Sequence, residues 1–185
     1  MPVGRYTILG DDGDPVGTEE FRCAPGPMGW RYVSEIDTSE HGQHHETIDI
    51  AVDADWRIVR IRIDTGAYRL LEEPTDDEHL DYLTPATNLI TTKRLTGTSE
   101  LDVGFVEPFT LERTRDRQRY ELHGDEEVDT PVGRFAATRW TYTSLDSGWT
   151  SDLWVAGDVV VRYDRIFELT WYDPGASGPR VLDPT

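Results

Sequence analysis

The sequence predicts an all-β fold with a minor helical part: one large antiparallel sheet, curved into a half-barrel or β-roll. Three observations point there. Runs rich in Ile, Val, Thr, Trp and Tyr recur along the chain, bounded by Gly, Asp and Pro. Helical periodicity is nearly absent. Roughly ten or more strands in one sheet must curl or close, because a long open sheet leaves unpaired edges. A concave face lined with aromatics then makes a natural ligand cavity.

Taken in order, residues 10–17 read as a loop and Gly26-Pro-Met-Gly29 as a turn. Residues 46–52 and 56–64 read as strands joined by a tight Asp-Ala-Asp-Trp turn at 53–56. In the second strand Arg57, Val59, Ile61 and Ile63 share one face, and Trp56, Ile58, Arg60 and Arg62 the other. Either a bulge at Ile58–Val59 shifts the phase, or both faces are partly covered; a sheet wrapped around a ligand predicts the second. One short helix is expected at 76–82, opened by Pro74-Thr75 with acids in its first turn. An Arg-rich strand pair follows near 101–122, then a strand at 135–143. A hairpin comes next, residues 152–155 and 159–164 turning at Ala156-Gly157-Asp158, and a loose tail at 173–185.

The 185 residues suit one domain. The stretch from Asp49 resembles the stretch from Asp152, each a strand, an Asp-containing turn and an Arg-bearing strand. That suggests pseudo-repeat halves at about 17–75 and 95–172; alternatively, two hairpins simply share a composition.

Charge and cysteine content narrow the function classes. The net charge of −18 opposes nucleic acid and anionic membrane surfaces, both of which need a positive field. Lys93 is the only lysine among 18 cations. The single Cys23 rules out an intrachain disulfide and suits a reducing compartment. No apolar signal-like stretch opens the chain, and no run approaches the ~20 apolar residues of a membrane span. A soluble, cytoplasmic protein is the expectation; oligomeric state stays open.

Few residues mark out chemistry. In His41-Gly-Gln-His44-His45-Glu46, His44 and Glu46 share a strand face while His45 points away. Zinc needs three or four converging ligands, so a surface loop is the simpler reading, and no metal site or cofactor is expected. The acid runs 76–78 and 125–127 lack the spacing of a calcium loop. No Gly-rich phosphate loop and no nucleophile–base pair is visible.

Two patterns suit binding. If 112–120 is a strand, Arg113, Arg115, Arg117 and Arg119 point one way at about 6.6 Å spacing. They suit either pairing with neighbouring carboxylates on a solvated face or an anionic head group held bidentately. The second pattern is an aromatic-rich C-terminal part that includes Trp140, Trp149, Trp154 and Trp171. It suits sheet core or the wall of an apolar cavity.

Thr87-Asn88-Leu-Ile-Thr-Thr-Lys93-Arg94-Leu95 is similar to a Thr-Asn…Arg-Arg-Leu stretch of a bacterial family described as glycolipid-binding. Asp81, Asp55-Trp56-Arg57 and Gln118-Arg119-Tyr120 resemble further pieces of it, in the same order over roughly 45–122. Thr91 and Lys93 stand where that family has Pro and Arg, and its Gly-x-Trp is missing. Residues 130–135 and 149–164 resemble lipoprotein-carrier-like β-proteins instead. The resemblance implies a curved half-barrel around a lipid-like ligand. Asn88 and Arg94 are its best polar candidates, although Asn88 could equally hold the turn after Pro85 and Arg94 pair with an acid.

The expected function is therefore non-enzymatic binding of a lipid or glycolipid amphiphile. The expected site comprises Asn88, Arg94, Trp56, Arg57, Arg115, Arg117, Arg119, Tyr120, Trp140 and Trp154, with no catalytic residue. The rivals are a small β-barrel enzyme using a carboxylate or His45 on a lipophilic substrate, and a structural or interaction module. A cavity holding a shielded carboxylate with a raised pKa favours the enzyme; a filled interior with no cavity favours the module.

Overall fold

The computed structural model describes residues 1–26, 29–39, 42–74 and 78–182. Pro27 and Met28 of the expected turn, His41 of the histidine cluster, and Asp76 and Asp77 lie outside the described residues, as does the end of the tail. The elements run β1 (Val3–Leu9), β2 (Pro15–Gly26), β3 (Gly29–Thr38), β4 (His44–Asp53), β5 (Ile58–Asp64), β6 (Arg69–Glu72) and β7 (His79–Asp81). One helix, α1 (Pro85–Arg94), follows. Then come β8 (Ser99–Val106), β9 (Arg113–Thr130), β10 (Gly133–Ser144), β11 (Thr150–Ala156), β12 (Val159–Tyr163) and β13 (Phe167–Asp173).

The thirteen strands of the described residues form one curved sheet in the order β6-β5-β4-β3-β2-β1-β13-β12-β11-β10-β9-β8-β7. It is not closed into a barrel: β6 and β7 are its two edges. Arg113 of β9 nonetheless ion-pairs with Glu72 at the end of β6, at 3.1 Å, and with Glu78 just before β7. The two edges thus come within reach of one side chain. Neighbouring strands pair antiparallel except β7 and β8, which run parallel.

Alternation sets the inner face. In β2 Glu19, Phe21 and Cys23 are buried; in β4 Glu46, Ile48, Ile50 and Val52 are. In β5 the pairing register shifts between Arg60 and Ile58, so Val59 is the bulged residue. Ile58, Ile61 and Ile63 thereby all reach the core, resolving the mixed faces of this strand in favour of a bulge. A second shift lies where Arg139 and Trp140 of β10 face Gly124 and Leu122, so His123 of β9 is the extra residue; Phe135, Ala137, Trp140 and Tyr142 of β10 are buried.

The helix is the main departure from the sequence expectation. Residues 79–81 form a strand, and the helix starts at Pro85. Thr84 is its N-cap, with Pro85 at the first turn, where a missing N–H costs nothing. Thr84 Oγ1 accepts the Ala86 N–H at 3.4 Å. Lys93 and Arg94 occupy the last turn, at the negative end of the helix dipole. Residues Pro85 through Thr92 are all buried.

That burial comes from the sheet, which curves around the helix. Residues preceding or capping α1 bond to β2 and β4, and α1 itself bonds to β9 and packs on β12. The β11–β12 hairpin also turns inward. Trp154, Val155, Ala156 and Val159–Val161 are buried in succession, as in strands covered on both faces. β12 pairs with β13 only at Arg162 and Tyr163, and Tyr6 donates its hydroxyl to the Val160 carbonyl at 2.7 Å. The concave interior is therefore largely filled by the chain itself.

Candidate functional site

The filled interior carries an unusual load of buried carboxylates, gathered around the N-terminal end of α1. Asp81 ends β7. Its Oδ1 accepts from Thr87 Oγ1 at 2.9 Å and Asn88 Nδ2 at 3.3 Å, and its Oδ2 from Gln118 Nε2 at 2.6 Å. Asn88 Nδ2 also donates to Tyr120 Oη at 3.0 Å, and Tyr120 donates to Gln118 Oε1 at 3.3 Å. Burial pushes the Asp81 carboxyl up to about 6, with the Gln118 and Thr87 hydrogen bonds working against that rise.

Glu19 of β2 is fully enclosed. Its Oε1 accepts from Tyr32 Oη at 2.7 Å and from Thr84 Oγ1 at 2.8 Å, but its Oε2 has no hydrogen-bond partner. Burial, partly offset by these donors, pushes it up to about 7. The neighbouring Ser34 hydroxyl is close enough to Glu19 to counter the rise as well, yet makes no hydrogen bond of good geometry among the described residues. Glu46 of β4 accepts from Tyr82 Oη at 2.7 Å and sits 3.1 Å from His44 Nε2. Phe109 lies edge-on against the His44 ring. Burial and the adjacent Glu46 carboxylate raise the Tyr82 hydroxyl well beyond its ordinary value. No cation neutralises Glu19 or Asp81 among the described residues, so neutral hydrogen bonds hold both acids in place.

Above this polar layer a cavity of about 190 Å³ opens to the surface. Asp81, Thr84 and Asn88 contribute to its floor, while Phe105, Tyr142, Trp149, Tyr163, Ile166 and Phe167 wall it. Trp149 packs against Tyr142 with ring centroids 5.6 Å apart and stays 38% exposed at the rim, next to Leu83 at 46%. The arrangement offers a ring-sized apolar slot over a hydrogen-bonded carboxylate; a cavity of about 150 Å³ already holds a benzene ring.

Of the sequence-expected site residues, Asn88 lines this cavity and Tyr120 lies behind it, bonded to Asn88. The others are elsewhere. Arg115, Arg117 and Arg119 are exposed on the outer face, while Gln118 and Tyr120, on the opposite face of the same strand, are buried. Arg117 pairs with Asp146 at 3.4 Å and Arg119 with Glu121 at 3.5 Å, the solvated-face alternative. Arg94 donates to the Glu78 carbonyl at 3.1 Å and ties down the end of α1. Trp140 is core. Trp154 lies between the guanidinium groups of Arg139 and Arg162 and donates to Glu126 at 2.6 Å. Trp56 and Arg57 lie in the β4–β5 turn, near the other end of α1.

Among the described residues no group of three or more His, Cys, Asp or Glu is placed to hold a metal ion. His44 and His45 diverge, the latter bonding Asp37 at 2.9 Å. No helix of the described residues is long and apolar enough to cross a membrane.

The residue that sequence reading passed over is Glu19; Glu46 was noted only beside His44, and Thr87 and Gln118 only as parts of the resemblance. The signal of Glu19 was present: it occupies the inward phase of an alternating strand.

No protein-family model and no curated protein matches the sequence. Solved structures do resemble the fold. A DUF1089 family protein of Pseudomonas aeruginosa superimposes with a TM-score of 0.56 at 16% identity, over 81% of this chain and 91% of that one. A "putative lipoprotein" of Parabacteroides distasonis gives 0.43 at 11% identity, covering 93% and 94%. A "putative exported protein with YmcC-like fold" of Bacteroides fragilis gives 0.40 at 10% identity, covering 93% and 95%. The first likeness is one of fold alone; the other two are weaker still. The comparisons support a β-protein fold known from bacteria, and the glycolipid-binding resemblance finds no match to a family model.

Proposed function

We propose that the protein binds the apolar end of a small amphiphile in the cavity over Asp81, without chemical turnover. The observation that carries this reading is the cavity's composition: six apolar or aromatic walls around a floor with few polar groups, open at Trp149 and Leu83. A long chain does not fit inside, because α1 and the β11–β12 hairpin fill the concavity. A ring or a short stretch of alkyl chain fits, with the polar head at the rim. The resemblance to glycolipid-binding proteins agrees with such an amphiphile.

Calorimetric titration with n-alkyl glucosides of increasing chain length tests this. Affinity should rise by about fourfold per methylene, from ~0.8 kcal/mol per buried CH₂, until the slot is full, and then level off. The heat-capacity change should be negative. Phe105→Trp should block the slot and weaken binding by tenfold or more, with the fold retained. Weak, length-independent heats that Phe105→Trp leaves unaltered would refute the proposal.

One observation favours a second reading, acid–base chemistry: Asp81 is a shielded carboxyl pushed up to about 6 at the floor of a cavity. Thr87, Asn88 and Gln118 already engage both of its oxygens, which suits anchoring better than proton transfer.

A further inference from the structure

The cavity over Asp81 has apolar walls, yet three of the side chains lining it, Asn88, Tyr142 and Tyr163, carry polar atoms without a protein partner. These residues are only 5%, 7% and 4% exposed. The Asn88 amide nitrogen donates to Asp81 Oδ1 and Tyr120 Oη, but its Oδ1 accepts no hydrogen bond from the described residues. The tyrosines show a sharper contrast. Tyr6, Tyr32, Tyr82 and Tyr120 are buried and donate their hydroxyls to Val160, Glu19, Glu46 and Gln118. Tyr142 and Tyr163 are as deeply buried, stand in the cavity wall, and have hydroxyls that bond to none of the described residues.

Buried polar groups are nearly always paired, so three orphans around one cavity call for a ligand that pairs them. None of the three atoms is sealed off: the sealed orphans of the described residues belong to Glu19, Ser34 and Arg139. Burial raises both the Tyr142 and the Tyr163 hydroxyl above the ordinary phenol range, and the Asp81 carboxylate is the next cause for each. Both hydroxyls therefore stand near the polar floor that Asp81 and Asn88 form. No Lys, Arg or His lines the cavity. Both Asp81 oxygens are already engaged, and its charge opposes a second anion beside it. What the floor offers is one acceptor, the Asn88 carbonyl oxygen, and two hydroxyls that can each donate or accept.

We propose that the slot takes an uncharged phenol, ring inward, with its hydroxyl at the floor. That hydroxyl donates to Asn88 Oδ1 and accepts from the hydroxyl of Tyr142 or Tyr163. The ring lies among Phe105, Trp149 and Phe167, in a space of about 190 Å³. The inference rests on the amphiphile reading and narrows it: the end that enters is a ring tipped with one hydroxyl, while any larger polar group stays at the rim. A site whose buried polar groups are paired by the ligand rejects the analogue that leaves them unpaired.

The test is an NMR titration of the intact protein with 4-ethylphenol, 4-ethylanisole and ethylbenzene, following the side-chain amide signals of Asn88. The ether cannot donate a hydrogen bond, and ethylbenzene lacks the oxygen altogether. Saturable shifts of the Asn88 amide are expected, with 4-ethylphenol binding about tenfold tighter than either analogue. The charged analogues 4-ethylbenzoate and 4-ethylbenzylamine should bind more weakly than the phenol. Tyr142→Phe combined with Tyr163→Phe keeps both rings and removes both hydroxyls. It should bring the phenol and its ether to within about threefold of each other. Ethylbenzene or the ether binding as tightly as the phenol would overturn the proposal and leave the amphiphile reading standing. Tighter binding of a charged analogue, or an unaltered phenol-to-ether ratio in the folded double variant, would overturn it likewise. Failure of all three neutral ligands to move the Asn88 signals would sink the amphiphile reading together with it.

Discussion

Glu19→Gln is expected to stabilise the protein at pH 8 by about 3 kcal/mol. Glu19 is enclosed, and among the described residues no cation faces it and one of its oxygens has no hydrogen bond of good geometry. Folding raises its pKa from 4.5 to about 7, so the folded state holds this proton more tightly than the unfolded chain. The sign follows. The contribution is fully present below about pH 4.5 and is lost as pH rises through 7. Asp81, raised from 3.8 to about 6, acts in the same direction over a slightly lower window. An amide at position 19 keeps the acceptor used by Tyr32 and Thr84 and offers a donor to the unpartnered Ser34 hydroxyl. Urea unfolding at pH 5 and pH 8 checks this: the variant should gain most at pH 8 and show a flatter pH dependence. An equal or lower midpoint at pH 8 would mean that the Glu19 carboxylate is better solvated than its enclosure indicates.

Asp81→Leu is expected to destabilise by about 3 kcal/mol, and Asp81→Asn by about 1 kcal/mol or less. Leucine removes the acceptor shared by Gln118, Asn88 and Thr87: one N–H of each amide loses its partner, while the other bonds to Asp116 or Tyr120 remain and the Thr87 hydroxyl keeps the Tyr82 and Thr84 carbonyls. Asparagine retains an acceptor, and the Gln118 amide can rotate to match the new donor. The contrast between the two variants separates a hydrogen-bonding role from a charge role. If leucine and asparagine cost the same, the network around α1 is not what holds the helix in the sheet.

The fold class was legible because strand alternation and turn residues are local signals. The 53–56 turn, the 156–158 turn and the phase problem in β5 all appeared in the residues themselves, and the last proved to be a bulge at Val59. The helix was placed too early. Its true start carries a clear signature, Thr84 as cap and Pro85 at the first turn, but its body is rich in threonine and polar on most sides. Such a segment forms a stable helix only when a sheet encloses it, which is a tertiary effect. The acid run before it gave the stronger local helix-start signal and drew the expectation to 76–82.

The candidate site was legible in part. Asn88 stood out, but its partners Asp81, Gln118 and Tyr120 lie up to 37 positions apart in sequence and meet only through sheet curvature. The arginine stripe was the most conspicuous pattern and lies outside, because Gln118 and Tyr120 claim the inner face of β9. Buried Glu19 and Glu46 could have been read from their phase: Glu19 alternates with Phe21 and Cys23, and Glu46 with Ile48 and Ile50. Acidic residues are so common in this chain that two inward ones did not stand out against the 36 present.

The central claim is that the slot over Asp81 receives the apolar end of an amphiphile. Intermolecular NOEs from hexyl glucoside in complex with the protein test it most directly. The account predicts contacts from the terminal methyl to ring protons of Tyr142, Tyr163 and Phe167, with the sugar protons near Trp149. Methyl contacts confined to the outer face, or none at saturating glucoside, would contradict it.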